Sequence, residues 1–321
     1  MSSFTVIRPG LQTTIQDRGR WGWQSRGVSV AGAMDPYSCR VANALVGNDA
    51  DAAALEMTFV GPELEFEDAR IVAVAGAEFA ITIDGTPAPV GAAFPVSGGS
   101  RLRFGDRAHG VRAYLAVAGG ITVPRILGSR STHLVSRMGG LAGRPLAAGD
   151  RVPLGDPMKA RRVRLEVQLT EVELKRDPTI GPGAARVRVM PDARLDRFVD
   201  GALDVLQSAP YTVSRLSDRM GFRLEGPHLQ HSHGADILSE ITPLGTVQVP
   251  ASGQPILLMA DRQTTGGYAR IATVISADIG VAGQRGPDDR LSFDVCTLGE
   301  ALAARAAQER ALLAIEEKAR T

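Results

Sequence analysis

Cysteine and lysine are scarce in this 321-residue chain, and so is any excess of one charge. Two cysteines, Cys39 and Cys296, make neither a disulfide framework nor a zinc set. Lysine occurs only at Lys159, Lys175 and Lys318, and no G-x-x-x-x-G-K-[ST] run exists, which excludes nucleotide binding through a Walker loop. Lys+Arg is 36 against 35 Asp+Glu, a formal +1, so no net field draws nucleic acid or an anionic membrane surface. The apolar runs near 71–83 and 113–123 are broken by Gly or Glu and fall short of the ~18 residues of a membrane span. The opening MSSFTVIRPG lacks the charged and apolar regions of a signal peptide, so a soluble, cytoplasmic protein is expected. No HExxH occurs, and Gly27-Val28-Ser29-Val30-Ala31 stops short of a G-x-S-x-G elbow.

Glycine, by contrast, is abundant. The 36 glycines and 19 prolines describe a turn-rich chain and argue against a helical bundle, while 44% hydrophobic residues suffice for sizeable cores. At roughly 150 residues per domain the length suggests about two domains. The basic charge is almost all arginine, the planar, bidentate binder of carboxylates, phosphates and ureido-like groups; codon usage would give the same bias.

Short runs rich in Val, Ile, Leu and Phe, bounded by Gly, Pro, Asp or Ser, read as strands: 69–83, 113–117, 186–190, 221–224, 245–249 and 254–259. They predict a mainly β barrel or sandwich fold. Asp84-Gly85 reads as a hairpin turn. Asp35-Pro36 starts a helix with Tyr37, Val41, Ala44 and Leu45 on one face, closed by Gly47-Asn48. Asp192 is expected to cap a second helix, with Leu195, Phe198, Val199 and Leu206 inward. A C-terminal helix over 298–320 sets Leu302, Ala306 and Leu313 at helical spacing, as a docked terminal helix or a partner-binding element. Arg137-Met138-Gly139 is echoed by Arg219-Met220-Gly221, and the charged stretch MKARRVR is the best linker. The chain is therefore divided into domains at 1–158 and 159–321.

His228, His231 and His233 read as a surface loop with incidental histidines, and no metal site is expected. Four polar runs at strand ends stand out instead: Gln16-Asp17-Arg18-Gly19-Arg20, Ser129-Arg130-Ser131-Thr132, Ser217-Asp218-Arg219-Met220-Gly221, and Ala260 to Tyr268. Each joins Arg, Asp, Gln or Thr to Gly, letting backbone N–H groups and side chains approach a ligand together. Ordinary turns and Asp–Arg pairs would leave the same pattern.

These runs, with Gly32-Ala33-Met34-Asp35, Ala42-Asn43, Leu55-Glu56-Met57-Thr58, Gln248-Val249-Pro250 and Gln263-Thr264-Thr265-Gly266-Gly267-Tyr268, occur in an order that resembles the biotin-dependent carboxyltransferase family. It is also called the allophanate hydrolase subunit 2 family and includes the C-subunit of 5-oxoprolinase, the antagonist of a sporulation-kinase inhibitor, and half of the urea carboxylase carboxyltransferase region. The resemblance implies two cyclophilin-like β-barrel domains with a few short helices and a C-terminal helix. It implies an allophanate hydrolase subunit 1-like partner and, in one branch, a LamB/YcsF-like third subunit. The activity implied is ATP-dependent opening of 5-oxoproline to glutamate, with ATP acting through the complex. Two alternatives stand beside it: carboxyl transfer between carboxybiotin and urea, and non-catalytic binding of subunit 1. The chain has no Ala-Met-Lys-Met carrier motif, so any biotin comes from a separate carrier. The stretch 283–289 replaces the family's usual Pro-Gly turn, with Asp289 expected to keep the turn.

Either reaction develops negative charge on a planar amide or ureido group and needs fixed donors and a proton-moving base. Arg130, Arg219 and the backbone around Gly266-Gly267 are the expected donors. Asp17, Asp218 and Asp261 are the candidate carboxylates, one as base and the others orienting arginines. Arg18, Gln263, Thr264, Thr265 and Tyr268 are expected to bind substrate.

Overall fold

Alternation of large and small side chains explains how the first sheet is used on both faces. The computed structural model describes residues 2–170, 173–174 and 184–320. Among them no helix is long and apolar enough to cross a membrane. The chain forms two units, Met1–Trp21 with Ala31–Asp177 and Arg310–Thr321, and Gly22–Val30 with Pro178–Glu309.

The first unit carries β1 (Ser3–Arg8), β2 (Gln12–Gln16), α1 (Pro36–Leu45), β3 (Ala54–Thr58), β4 (Glu63–Phe66), β5 (Arg70–Ile83), β6 (Thr86–Ala88), β7 (Ala93–Val96), β8 (Arg101–Val117) and β9 (Arg151–Pro153). They form one nine-stranded sheet of order β2-β3-β8-β4-β1-β9, with β5 against β6, β7 and β8. Strand β8 is long enough to serve two neighbours on one edge, β3 through Leu55↔Leu115 and β4 through Leu64↔Leu102, while β5 follows its other edge. Side chains alternate across a strand. Val72, Val74, Leu115 and Val117 enter one core with Phe4, Leu55 and Phe66. Ala73, Ala75, Tyr114 and Ala116 face the other way, and their mostly small size lets α1 pack Val41 and Leu45 closely on that face.

Helix α1 begins as the sequence predicts: the Asp35 carboxylate accepts from Ser38 N at 3.1 Å and Pro36 takes the first position. Asp84 and Gly85 take φ of 49° and 84° in the β5–β6 turn. Residues beyond 158 stay with this unit: Arg161 N donates to Gly47 O at 2.9 Å, Leu169 N to Gly91 O at 2.9 Å, and Leu169 is buried. The division into units therefore comes later in the chain than residue 158.

The second unit carries β10 (Ala185–Pro191), α2 (Ala202–Ser208), β11 (Tyr211–Val213), β12 (Gly221–Glu225), β13 (Asp236–Ile241), β14 (Thr246–Gln248), β15 (Ile256–Leu258), β16 (Thr265–Tyr268), β17 (Arg270–Val274), α3 (Ile279–Gly283) and β18 (Arg290–Val295). Seven strands close a barrel in the order β10-β17-β14-β15-β12-β11-β18, sealed by the parallel pair β10–β18 through Val187↔Phe293. Strands β13 and β16 form a separate two-stranded ribbon. The fold class is thus mainly β, with a closed barrel in the second unit and an open strand order in the first.

Three expectations need correction. The helix foreseen from Asp192 is broken in two. One 3₁₀ turn spans Leu195–Arg197, and α2 starts only after Gly201, whose φ of 80° interrupts the run and leaves Val199 exposed. In α4 (Leu298–Ala319) the buried face is Leu312, Ile315 and Ala319, whereas Leu302 and Leu313 are exposed. The repeated Arg-Met-Gly is not a repeated structure: Arg137 is exposed with φ 51°, while Arg219 is buried and ion-paired. The 283–289 turn does rest on Asp289, whose carboxylate accepts from Gly286 N at 2.8 Å.

Candidate functional site

The polar runs fall into two constellations, one in each unit. In the first, Asp17 follows directly on β2 and is buried. Its Oδ1 accepts from Ser129 Oγ and Ser131 Oγ at 2.6 Å each and from Gly19 N at 2.8 Å; its Oδ2 accepts from Arg130 N at 2.6 Å. Thr132 completes the join by donating N–H to Ile15 O at 2.9 Å, while Gln16 Nε2 donates to Thr132 O at 3.0 Å. The Gln16–Arg20 and Ser129–Thr132 motifs are therefore two halves of one clasp. The GAMD motif supports it: Ala33 N donates to Asp17 O at 3.1 Å and Met34 N to Glu56 Oε2 at 2.8 Å. A carboxylate holding four donors is a strong positioning group and has little lone-pair capacity left for proton transfer.

Arg130 is held at both ends, its backbone by Asp17 and its Nε by Val123 O at 2.8 Å. Burial first, and the neighbouring Arg125 cation second, push its guanidinium below the usual arginine range. Arg18 is exposed, and its carbonyl accepts from Trp21 Nε1 at 2.9 Å.

In the second unit Arg219 and Asp261 pair in two-point fashion with both side chains buried. Asp261 N also donates to Arg219 O at 2.9 Å, so the pair is locked by backbone as well. The pairing fixes the orientation of both side chains. Asp218 is exposed and turns back on its own loop, accepting from Met220 N at 2.8 Å.

A further cluster follows Asp261. Gln263 Nε2 donates to Gln248 Oε1 at 3.3 Å, and Thr242 Oγ1 donates to Gln263 O. Gln248 lies at the end of β14 with 2% exposure, and among the described residues its Nε2 has no hydrogen-bond partner. Gly266 makes the room: a Cβ there would stand 2.5 Å from Gln248 Nε2, 3.0 Å from Thr242 Cγ2 and 3.3 Å from Gln263 Nε2. Arg262 is buried, with Nε donating to Thr242 O at 2.8 Å, and burial pushes its guanidinium down to about 10, still charged at neutral pH. Thr264 accepts from Thr242 N through its carbonyl at 3.0 Å. Thr265, Gly266, Gly267 and Tyr268 make up β16, with Thr265 and Tyr268 on exposed positions of the ribbon.

The structure so gathers Asp17 with Arg130, Arg219 with Asp261, and Gln263 with Gly266. It leaves Arg18 and Asp218 on exposed loop positions. Sequence reasoning passes over Ser129 and Ser131 as partners of Asp17, and over Gln248, Thr242 and Arg262 beside Gln263. The runs Ser129-Arg130-Ser131-Thr132, Gln248-Val249-Pro250 and Ala260 to Tyr268 contain four of these five residues without saying which partner each takes, and Thr242 lies in none of them. Among the described residues no three His, Cys, Asp or Glu side chains gather as a metal set. His231 instead bonds Val249 O at 3.0 Å and lies against Phe198.

Residues 26–295 match the carboxyltransferase domain, subdomain A and B. The chain is 42% identical over 305 residues to the 5-oxoprolinase C-subunit of Escherichia coli (strain K12), covering 95% of each chain. It is 31% identical over 308 residues to the urea amidolyase of Saccharomyces cerevisiae, covering 91% of this chain and 16% of that one. Its fold is similar to the Kluyveromyces lactis urea carboxylase crystal structure, with a TM-score of 0.90 at 30% identity, covering 98% of this chain and 29% of that chain.

Proposed function

This chain belongs to the carboxyltransferase domain (subdomain A and B) family, and from that premise we propose that it serves as the amide-binding subunit of an ATP-dependent 5-oxoprolinase. The observation that carries the proposal is its likeness, over nearly the full length of both chains, to the E. coli 5-oxoprolinase C-subunit. The Gln248–Gln263 pair supports it, since side-chain amides present the donor and acceptor that a lactam edge complements. In this proposal Gln263 and Gln248 orient the lactam. Arg219, aligned by Asp261 in the same unit, stabilises charge developing on the amide oxygen. Opening the ring breaks the C–N bond and consumes one water to give glutamate. ATP acts through the assembled complex, whose other members are a subunit 1-like protein and a LamB/YcsF-like subunit.

The test is co-expression with both partners, followed by a glutamate assay. Glutamate is expected only when 5-oxoproline, ATP and the partners are all present; its absence under those conditions overturns the proposal. Likeness to urea carboxylase favours one second reading, a carboxyltransferase half serving carboxybiotin from a separate carrier. Carboxyl transfer from added carboxybiotin to urea, without ATP-dependent lactam opening, would assign that reading instead.

A further inference from the structure

Among the described residues Arg262 is a buried cation with no carboxylate beside it. It is 6% exposed, yet among the described residues its side chain makes a single hydrogen bond, from Nε to Thr242 O. Its backbone carbonyl is held separately by Ser29 Oγ at 2.9 Å. Arg70, Arg188 and Arg219 each face an aspartate, at 2.9, 2.7 and 3.0 Å. Burying most of a guanidinium without a counter-charge is costly, and an anion brought to its two Nη groups would offset that cost. The same cluster holds the second unspent donor, Gln248 Nε2, itself buried. The two are linked through Thr242, whose carbonyl fixes Arg262 Nε and whose methyl borders the space opened by Gly266. Two free Nη groups in a planar fork fit the two oxygens of a carboxylate.

We propose that Arg262, with Gln248, receives a carboxylate carried next to the amide, so that this site selects carboxylate-bearing amides or ureides over their neutral counterparts. This rests on the amide-binding reading above and names its substrate class. Such a carboxylate has two sources: the ring carboxylate of a 5-oxoproline-type lactam, or the N-carboxyl group of a carboxylated urea. A neutral isostere loses the charge-assisted pair, worth about 10–100-fold in affinity.

The experiment uses the complex of this chain with its co-expressed partners and measures binding by calorimetry. Two probe pairs are compared, 5-oxoproline with 2-pyrrolidinone and allophanate with biuret, in wild type, Arg262→Met and Arg262→Lys. Wild type is expected to prefer the carboxylate of one pair by about 10-fold or more. Preference within the first pair assigns the lactam source, and within the second the ureide source. Arg262→Met is expected to bring that ratio close to one, while Arg262→Lys restores part of it. A merely structural arginine would weaken both members of a pair alike. Equal affinity within both pairs in wild type, or no binding of any probe, overturns the proposal without recourse to a variant. A preserved binding ratio in a complex that never forms glutamate would instead refute the 5-oxoprolinase reading and leave the carboxylate receptor standing.

Discussion

Arg219 and Asp261 face each other through two hydrogen bonds of 3.0 Å, Nε to Oδ2 and Nη2 to Oδ1, with only 5% and 2% of their side chains exposed. Such a pair is worth little against an apolar replacement, but half of it is expensive, because a lone charge stays buried. Asp261→Ala or Arg219→Ala is expected to cost about 3–5 kcal/mol of unfolding free energy. The double replacement Arg219→Met with Asp261→Leu should lie nearer wild type than either single. Urea denaturation of all four proteins checks this. Single variants indistinguishable from wild type would mean that the pair does not hold the barrel.

The Asp17 clasp gives a different outcome. An amide cannot accept from all the donors that converge on this carboxylate, because its nitrogen is itself a donor. Asp17→Asn is therefore expected to cost about 1–3 kcal/mol, and Ser129→Ala about 1 kcal/mol. Faster amide hydrogen exchange at Gly19, Arg130 and Ser131 should accompany the first. Unchanged exchange at Arg130 would show that Asp17 does not anchor the loop.

The contrast between these groups shows what sequence alone reveals. Local chemistry is legible: Asp35-Pro36 starts α1 and Asp84-Gly85 turns β5 into β6 because the physics of a cap or turn lies within four residues. The family motifs are also legible as motifs. Their meaning is not, since Asp17 and Ser131 are 114 residues apart in the chain and Gln248 and Gln263 are 15 apart. Arg262 reads in sequence as one more member of the Ala260 to Tyr268 run, and only burial with no carboxylate beside it among the described residues sets it apart. The inward face of α4 escapes because leucine and alanine lie all around the helix, so spacing does not favour Leu312 and Ile315 over Leu302 and Leu313. Helix α2 is misread because the apolar spacing continues through Asp200-Gly201, where the backbone turns left-handed.

The end of α4 should be acid-sensitive. Lys318 Nζ bonds both oxygens of Glu173 at 2.8 and 3.1 Å, and the Thr170 backbone N–H adds a third donor at 2.7 Å. Lys318 first, then Thr170, hold this carboxyl below its ordinary value. A lowered folded value means the contribution is complete above the unfolded carboxyl range near ~4.3 and disappears as pH falls through the folded value. Both side chains are partly solvated, so the effect is under about 1 kcal/mol and shrinks in salt. Glu173→Gln is expected to be slightly less stable than wild type at pH 7, with the gap closing as pH falls below the unfolded carboxyl range and through the folded value. Thermal unfolding across that range tests the sign, and a gap that widens in acid would contradict it.

Gly266 offers the sharpest separation of fold from site. Its backbone is not left-handed, so alanine is free of conformational strain, and the added Cβ meets chiefly the far end of the Gln248 side chain at 2.5 Å. That amide has to swing away, which breaks its contact with Gln263 and fills the space argued to hold a lactam edge. Thr242 Cγ2 at 3.0 Å adds a modest packing cost. Gly266→Ala is therefore expected to unfold within about 1–2 kcal/mol of wild type, while 5-oxoproline binding to the assembled complex weakens by about 10-fold or more. Trimming the obstacle should undo the effect in part: Gly266→Ala with Gln248→Ala relieves the clash yet lacks the amide, so its affinity should fall between wild type and the single variant. If Gly266→Ala binds 5-oxoproline as wild type does, the Gln248–Gln263 cluster is not where the amide sits.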